Sequence, residues 1–475
     1  MLSRLYIWSI VFQPLLFFVL FQRELFGVPG SLSRILQILV IIGLILRFLI
    51  KFIDLKSHEV RIANFTSPLY INFLVYFVLL IFAGLIGLVS GAYDLPSTYQ
   101  QGETLSGFSS ILNSAEVRPL FEYAIAAYYI IYFSILPKYI LKTEKDIIRF
   151  FTFFKALFII SFVIGIVDFT FAAFSIDLIP RQMMDGVNVG MRYHGLAGEP
   201  RQAVPYLALG LAIFHLQAFF EGKKLSRWWV AAIISAMLLT QSSSGILGIM
   251  AFLGLYIIFS LGNFRQFLKL ISLSILLVLL LYVAIINSDR INLYIESAEN
   301  LWFILESGGE LPYLMKTQLD SIYPLYDLTI KFRNFDFLPI FIGSGLGSAS
   351  VVNNVYADII FGTSNPNSQF VRILYESGLI GTLFFVLAFT HPVKYLTKGF
   401  GDKVQYKFIM YVLLLVGCTF GVRSSVAYIY LGIFIAAFSV FSQNSSYRKW
   451  QNYTSSSRSV FVKVVVRFIH AAFNK

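Results

Sequence analysis

The sequence predicts an all-α, polytopic transmembrane helix bundle of about twelve spans, with a large, partly helical extracytoplasmic loop. Three observations carry that expectation. The chain is 57% hydrophobic and 13% charged, whereas soluble domains carry about 25% charged residues. Its apolar residues gather in runs of about 20, the length that crosses a bilayer core. Its 49 Phe and 27 Tyr suit a lipid-facing surface edged by aromatic belts.

In chain order the apolar runs predict helices over 5–22, 32–52, 69–91, 120–141, 147–173, 202–220, 228–243, 245–261, 268–287, 369–390, 408–422 and 424–441. The first run, from Leu5 to Phe21, lacks a small-residue cleavage site and is kept as a span. The seventh and eighth are separated at the polar turn Gln241-Ser242-Ser243-Ser244-Gly245, since one helix across both would be too long for a single crossing.

Topology follows from charge. With the amino terminus inside, basic residues dominate the compact inner loops, as in Lys138 to Arg149, Glu221-Gly222-Lys223-Lys224 and Lys394 to Lys407. Acidic residues dominate the outer segments, so the distribution is positive-inside with both termini cytoplasmic. The longer outer loops fall at 92–119, 174–201 and 288–368. The last carries apolar stretches too short to span and is expected to fold as short helices and turns over the outer mouth. Residues 1–441 form a single transmembrane domain, and 442–475 a basic cytoplasmic tail. In that tail Lys463, Arg467 and His470 have the spacing of a helix that could lie on anionic lipid.

The same features exclude several classes. The net charge of +12 is topological, so no nucleic-acid partner is expected. One cysteine, Cys418, leaves no intramolecular disulfide, and five scattered histidines offer no zinc cluster. There is no P-loop, His-Glu-x-x-His or Gly-x-Ser-x-Gly.

Polar residues at the edges of spans are then the functional candidates. One cluster runs from Met191 to Arg201 into the sixth helix. Pro200 suits a first helical turn. The helix amino terminus, flanked by Arg192 and Arg201, offers N–H groups and paired guanidinium donors to a diphosphate. The second cluster, Asn365 to Gly381, opens the tenth helix, with Arg372 and Glu376 spaced to share one face and pair. Arg423 occupies the turn between the last two helices, and Arg118 precedes Pro119 as an interfacial anchor. Asp168 is expected to be solvated at the outer end of its helix, and His215 to be a packed histidine.

Four pieces together resemble the O-antigen polymerase and O-antigen ligase family of bacterial envelope glycosyltransferases. They are Arg192 with Gly195-Leu196 and Gly198-Glu199-Pro200, Thr240-Gln241-Ser242 to Gly245-Ile246-Leu247-Gly248, Gly343-Ser344-Gly345-Leu346-Gly347, and Asn367 to Gly381. The likeness extends to the layout of spans and to the large loop before the tenth. Ligases carry a His-Asn pair where this chain reads Asn367-Ser368, whereas Phe370-Val371-Arg372 matches the polymerase pattern. The resemblance therefore favours the polymerase branch.

That resemblance implies polymerisation of oligosaccharide repeat units carried on undecaprenyl diphosphate, at the periplasmic face of the inner membrane. The alternatives are a ligase acting on lipid A core and a flippase for the same lipids. The partners implied are lipid-linked oligosaccharide and membrane lipids, with a chain-length regulator and a flippase beside them. No cofactor and no metal are called for. Arg192, Arg201, Arg372 and Arg423 are expected to hold the diphosphate, stabilising charge that grows on it as the glycosidic bond breaks. Glu199 and His194 are the nearest candidates for a base on the acceptor hydroxyl.

Overall fold

A computed structural model describes residues 2–15, 22–25, 28–53, 67–93, 117–172, 192–240, 322–357, 368–419 and 424–441, with a few isolated positions between them. Within these residues the chain is a helical bundle with one short antiparallel hairpin, β1 (Gln22–Leu25) and β2 (Val28–Ser31), paired from Gln22 with Ser31 to Leu25 with Val28. Among the described residues, six helices are long and apolar enough to cross a membrane. The spans predicted at 245–261 and 268–287, the tail and Arg423 lie outside the described residues.

The first helix, α1 (Leu2–Val11), is shorter than the predicted 5–22. The chain turns through a 3₁₀ segment at Gln13–Leu15, because Pro14 has no N–H for a continuing helix. α2 (Leu32–Ile53) and α3 (Ile71–Val89) follow. Next come α4 (Arg118–Tyr128), a π segment (Tyr129–Ile135) and α5 (Leu136–Ile140), stacked as one span. The carbonyl of Tyr132, inside the π segment, accepts from Tyr6 Oη at 2.6 Å, and the carbonyl of Phe133 is pressed by Gly432 of the last helix. α6 (Glu144–Ala172) starts earlier than predicted. Thr143 caps it, accepting from the Asp146 N–H while its hydroxyl donates to that carboxylate at 2.7 Å.

α7 (Pro200–Phe220) and α8 (Arg227–Leu239) are joined by a tight turn. Three short helices, α9 (Ile322–Arg333), α10 (Phe337–Ile342) and α11 (Ser348–Ala357), belong to the predicted long loop. α12 (Gln369–Thr397), α13 (Asp402–Cys418) and α14 (Val426–Phe441) complete the bundle. α14 and most of α7 are buried, and they form the centre. α2 exposes Ile38, Leu39, Ile42 and Ile45, as a helix facing lipid would.

The long helices alternate in direction. His215 near the end of α7 packs against Phe408 and Tyr411 in the first ten residues of α13, and Phe219 meets Phe400, just before α13, and Phe438 near the end of α14. One end of the bundle therefore gathers the finishes of α7, α12 and α14 with the start of α13. The other gathers the starts of α7, α12 and α14 with the finish of α13, sealed by Gln369 N–H to the Thr419 carbonyl at 3.0 Å and Ser424 N–H to Gln369 Oε1 at 3.0 Å. The predicted site residues in both polar clusters fall at this second end.

Candidate functional sites at one end of the bundle

The segment before α7 is tied to three helices. The Tyr193 N–H donates to the Leu239 carbonyl at 3.0 Å, and Arg192 Nε donates to the Thr240 carbonyl at 2.8 Å. Both occupy carbonyls that the end of α8 leaves open. The Leu196 N–H donates to Ser161 Oγ of α6 at 3.2 Å. His194 completes the attachment, with Nε2 3.0 Å from Asp168 Oδ2 and Nδ1 3.0 Å from the Gly195 carbonyl.

His194 and Asp168 are both almost wholly buried. Asp168 is therefore not solvated as expected. Its other oxygen accepts from the N–H groups of Leu178 and Ile179 at 3.0 and 2.9 Å. Both ring nitrogens of His194 lie 3.0 Å from oxygens of the protein itself. That leaves no nitrogen directed at a substrate, and the geometry makes His194 a strut.

Glu199 is different. It precedes α7 with extended backbone, and its side chain does not cap the helix. Burial pushes its carboxyl above the usual carboxylate range, and the charges of Arg201 and Arg192 pull it partly back. Arg192, Glu199 and Arg201 thus share one electrostatic neighbourhood, half-buried at the start of a 21-residue helix. A carboxylate within the electrostatic reach of two arginines at a helix amino terminus combines anion-binding groups with a proton acceptor.

Arg372 lies in a second cluster. Its Nη2 is 2.7 Å from Glu122 of α4, and its Nε is 3.0 Å from Glu376 one turn on. All three side chains are buried. The predicted pairing with Glu376 is present, and Glu122 joins it. Arg372 was expected to hold diphosphate, yet here its guanidinium fork is filled by carboxylates. An anion reaching it would have to displace one of them.

The reason charge can be buried there is a break in α12. Gly378 has φ 65° and ψ −175°, a conformation essentially confined to glycine, and it splits the helix. The freed carbonyls of Tyr375 and Glu376 accept from the N–H groups of Ser344 and Gly345 at 3.0 and 2.9 Å. The Gly347 N–H donates to Glu376 Oε1 at 2.8 Å. The Gly343-Ser344-Gly345-Leu346-Gly347 turn is thus the backbone complement of the broken helix. The two segments are so close that a Cβ on Gly343 would collide with the backbone of Glu376 and Ser377, and one on Gly378 with that of Phe341 and Gly343.

A polar network seats α9 on this turn. Lys331 Nζ contacts Asp327 Oδ2 at 2.8 Å, Tyr375 Oη at 2.9 Å and Ser344 Oγ at 3.3 Å, while Tyr375 Oη donates to Asp327 at 2.7 Å. Glu122, Asp168, Asp327 and Lys331 were absent from the predicted site. For Glu122 a signal existed: an acid inside the start of an apolar span. Asn365, Pro366, Asn367 and Arg423 lie outside the described residues.

Among the described residues no group of three or more His, Cys, Asp and Glu is placed to hold a metal ion. Comparison of the chain with protein-family models, curated proteins and solved structures gives no match.

Proposed function

We propose that the chain is a membrane glycosyltransferase of the O-antigen polymerase type, joining oligosaccharide repeat units carried on undecaprenyl diphosphate. The observation that carries this reading is the neighbourhood of Arg192, Glu199 and Arg201 at the start of α7. In the proposed reaction the acceptor hydroxyl attacks the anomeric carbon of the donor. The bond from that carbon to the diphosphate oxygen breaks, and lipid diphosphate departs with the electron pair. Glu199 takes the hydroxyl proton. Arg192 and Arg201 meet the charge that grows on the leaving group, so they act more strongly on the transition state than on bound substrate.

In this scheme His194 and Arg372 are positioning residues. His194 holds the loop bearing Arg192 and Glu199 against α6, and Arg372 holds α4 against the broken helix. On this reading the chain crosses the bacterial plasma membrane twelve times, with both termini cytoplasmic and residues 288–368 on the periplasmic side. A chain-length regulator and a flippase are its partners.

A flippase reading draws on a separate observation. Discontinuous helices with buried charge are common in transporters, and α12 with the Arg372 cluster is of that kind. The two readings part in a purified system. Polymer formed by the purified protein from lipid-linked repeat units in detergent supports the transferase. Movement of those lipids across proteoliposome membranes without polymer would replace it.

A further inference from the structure

α9 and α10 form a helical hairpin whose polarity is reversed for a water-facing structure. Two charged residues of α9 turn inward: Asp327 and Lys331 engage Tyr375 and Ser344. The outward apolar residues are Phe332, Phe335, Phe337, Leu338 and Phe341, with Phe335 78% exposed, and Arg333, Asn334 and Asp336 are exposed at the turn between the two helices. Phe337 gathers Phe332 and Phe335 at ring separations of 5.8 and 6.1 Å. A contiguous aromatic patch of this kind is rare on a surface bathed in water.

The depth of the hairpin decides what covers it. The Phe341 carbonyl lies against Gly378, and Gly345 lies against Gly84 of α3. Gly378 is about 13 Å along α12 from its start at Gln369, at 1.5 Å per residue. α10 therefore packs beside α12 and α3 at the level of their membrane-crossing parts. There Leu379 and Leu383 of α12 and Leu85 and Leu88 of α3 are also exposed. The outward face of α10 continues the faces of two spanning helices. Irregular backbone at such depth is tolerated only when protein covers it, and residues 343–350 are all buried.

The geometry points to a re-entrant hairpin: Phe332, Phe335, Phe337, Leu338 and Phe341 insert among the lipid acyl chains of the leaflet at this end of the bundle. Arg333 and Asp336, exposed in the turn, then sit among headgroups, where charged side chains beside apolar ones are normal. Lipid, through the hairpin, would hold Lys331 and Asp327 against the broken helix.

The test uses the full chain with Cys418→Ala and single substitutions Phe335→Cys, Leu338→Cys and Phe341→Cys. Each cysteine carries a nitroxide and is reconstituted in phosphatidylethanolamine–phosphatidylglycerol vesicles. Power saturation with oxygen and with a nickel chelate then reads depth. A label at Leu383 marks acyl chains, and one at Lys223, whose side chain is 73% exposed, marks water. The expected result is several-fold greater access for oxygen than for nickel at 338 and 341, as at 383. Nickel access equal to that at 223 would overturn the proposal. So would exclusion of both reagents, which would mean that protein covers the face. Three independent exposed positions keep the result readable if one variant fails to fold.

Discussion

Arg372 of α12 and Glu122 of α4 meet at 2.7 Å, with both side chains almost wholly buried. With Glu376 also in contact, one guanidinium serves two carboxylates. Arg372→Ala would leave two buried acids facing each other, and should cost about 3–5 kcal/mol of stability. Glu122→Gln should cost less, because Glu376 still answers the guanidinium. Thermal midpoints of the purified variants in detergent measure both. An unchanged midpoint for Arg372→Ala, with polymerisation lost, would restore Arg372 as a diphosphate ligand.

Gly378→Ala tests the broken helix. A side chain there meets both a left-handed φ and the backbone of Phe341. Backbone strain alone costs about 1–3 kcal/mol, and the overlap adds to it. The variant should lose folded yield markedly, while Gly222→Ala, at a positive φ with open space around it, should lose far less. Equal behaviour of the two would mean that the clamp between the Gly343–Gly347 turn and α12 contributes little.

Glu199 sets a pH dependence. Its carboxyl is raised by burial and partly lowered by Arg201 and Arg192. As a base it must be ionised, so activity should rise with pH through a limb above the ordinary glutamate value of about 4.3. Removing Arg201 or Arg192 removes a lowering influence and should move that limb to higher pH. The stability sign is opposite. A raised acid contributes stability below its unfolded value and loses it as pH rises through the folded one. Glu199→Gln should therefore abolish the limb and gain relative stability at neutral pH. A pH–rate profile unchanged in Glu199→Gln would remove Glu199 from the chemistry.

His194 and Asp168 should behave as one structural unit. Asp168→Ala strips the acceptor from two backbone N–H groups and the partner from His194, at about 1–3 kcal/mol for each buried group left unpaired. His194→Gln should lower the thermal midpoint while keeping turnover per folded molecule within a few-fold. A hundredfold loss of turnover at unchanged midpoint would make His194 the base in place of Glu199.

Much of the bundle was legible because a span is a local pattern. Composition and run length marked α2, α3, α6 and α7 within a few residues, and the start but not the end of α12. Pro14, equally local, was overlooked, and it shortened the first helix. The Arg372–Glu376 pair was readable from its spacing, but Glu122 was not, since its partner comes from a distant helix. Asp168 looked solvated because its position near a helix end is visible in the sequence, whereas the loop that returns over it is not. The break at Gly378 sits in an apolar stretch that reads as continuous helix. Only the glycine turn packed against it shows why the break persists.

The π segment at Tyr129–Ile135 sets an azimuth. It lies between Glu122, which must meet Arg372, and Lys138, which sits over the Tyr70 ring at 5.9 Å. Each residue advances an α-helix by about 100°. A π turn takes up about one residue more than an α turn, so regular α-helix over the same residues would rotate one of these side chains by about that angle relative to the other, whereas deleting one residue from the wider turn would leave a regular helix that keeps their phase. Shortening the stretch by one residue should therefore be tolerated better than adding one, because the wider turn already absorbs a residue that the phase of the span does not need.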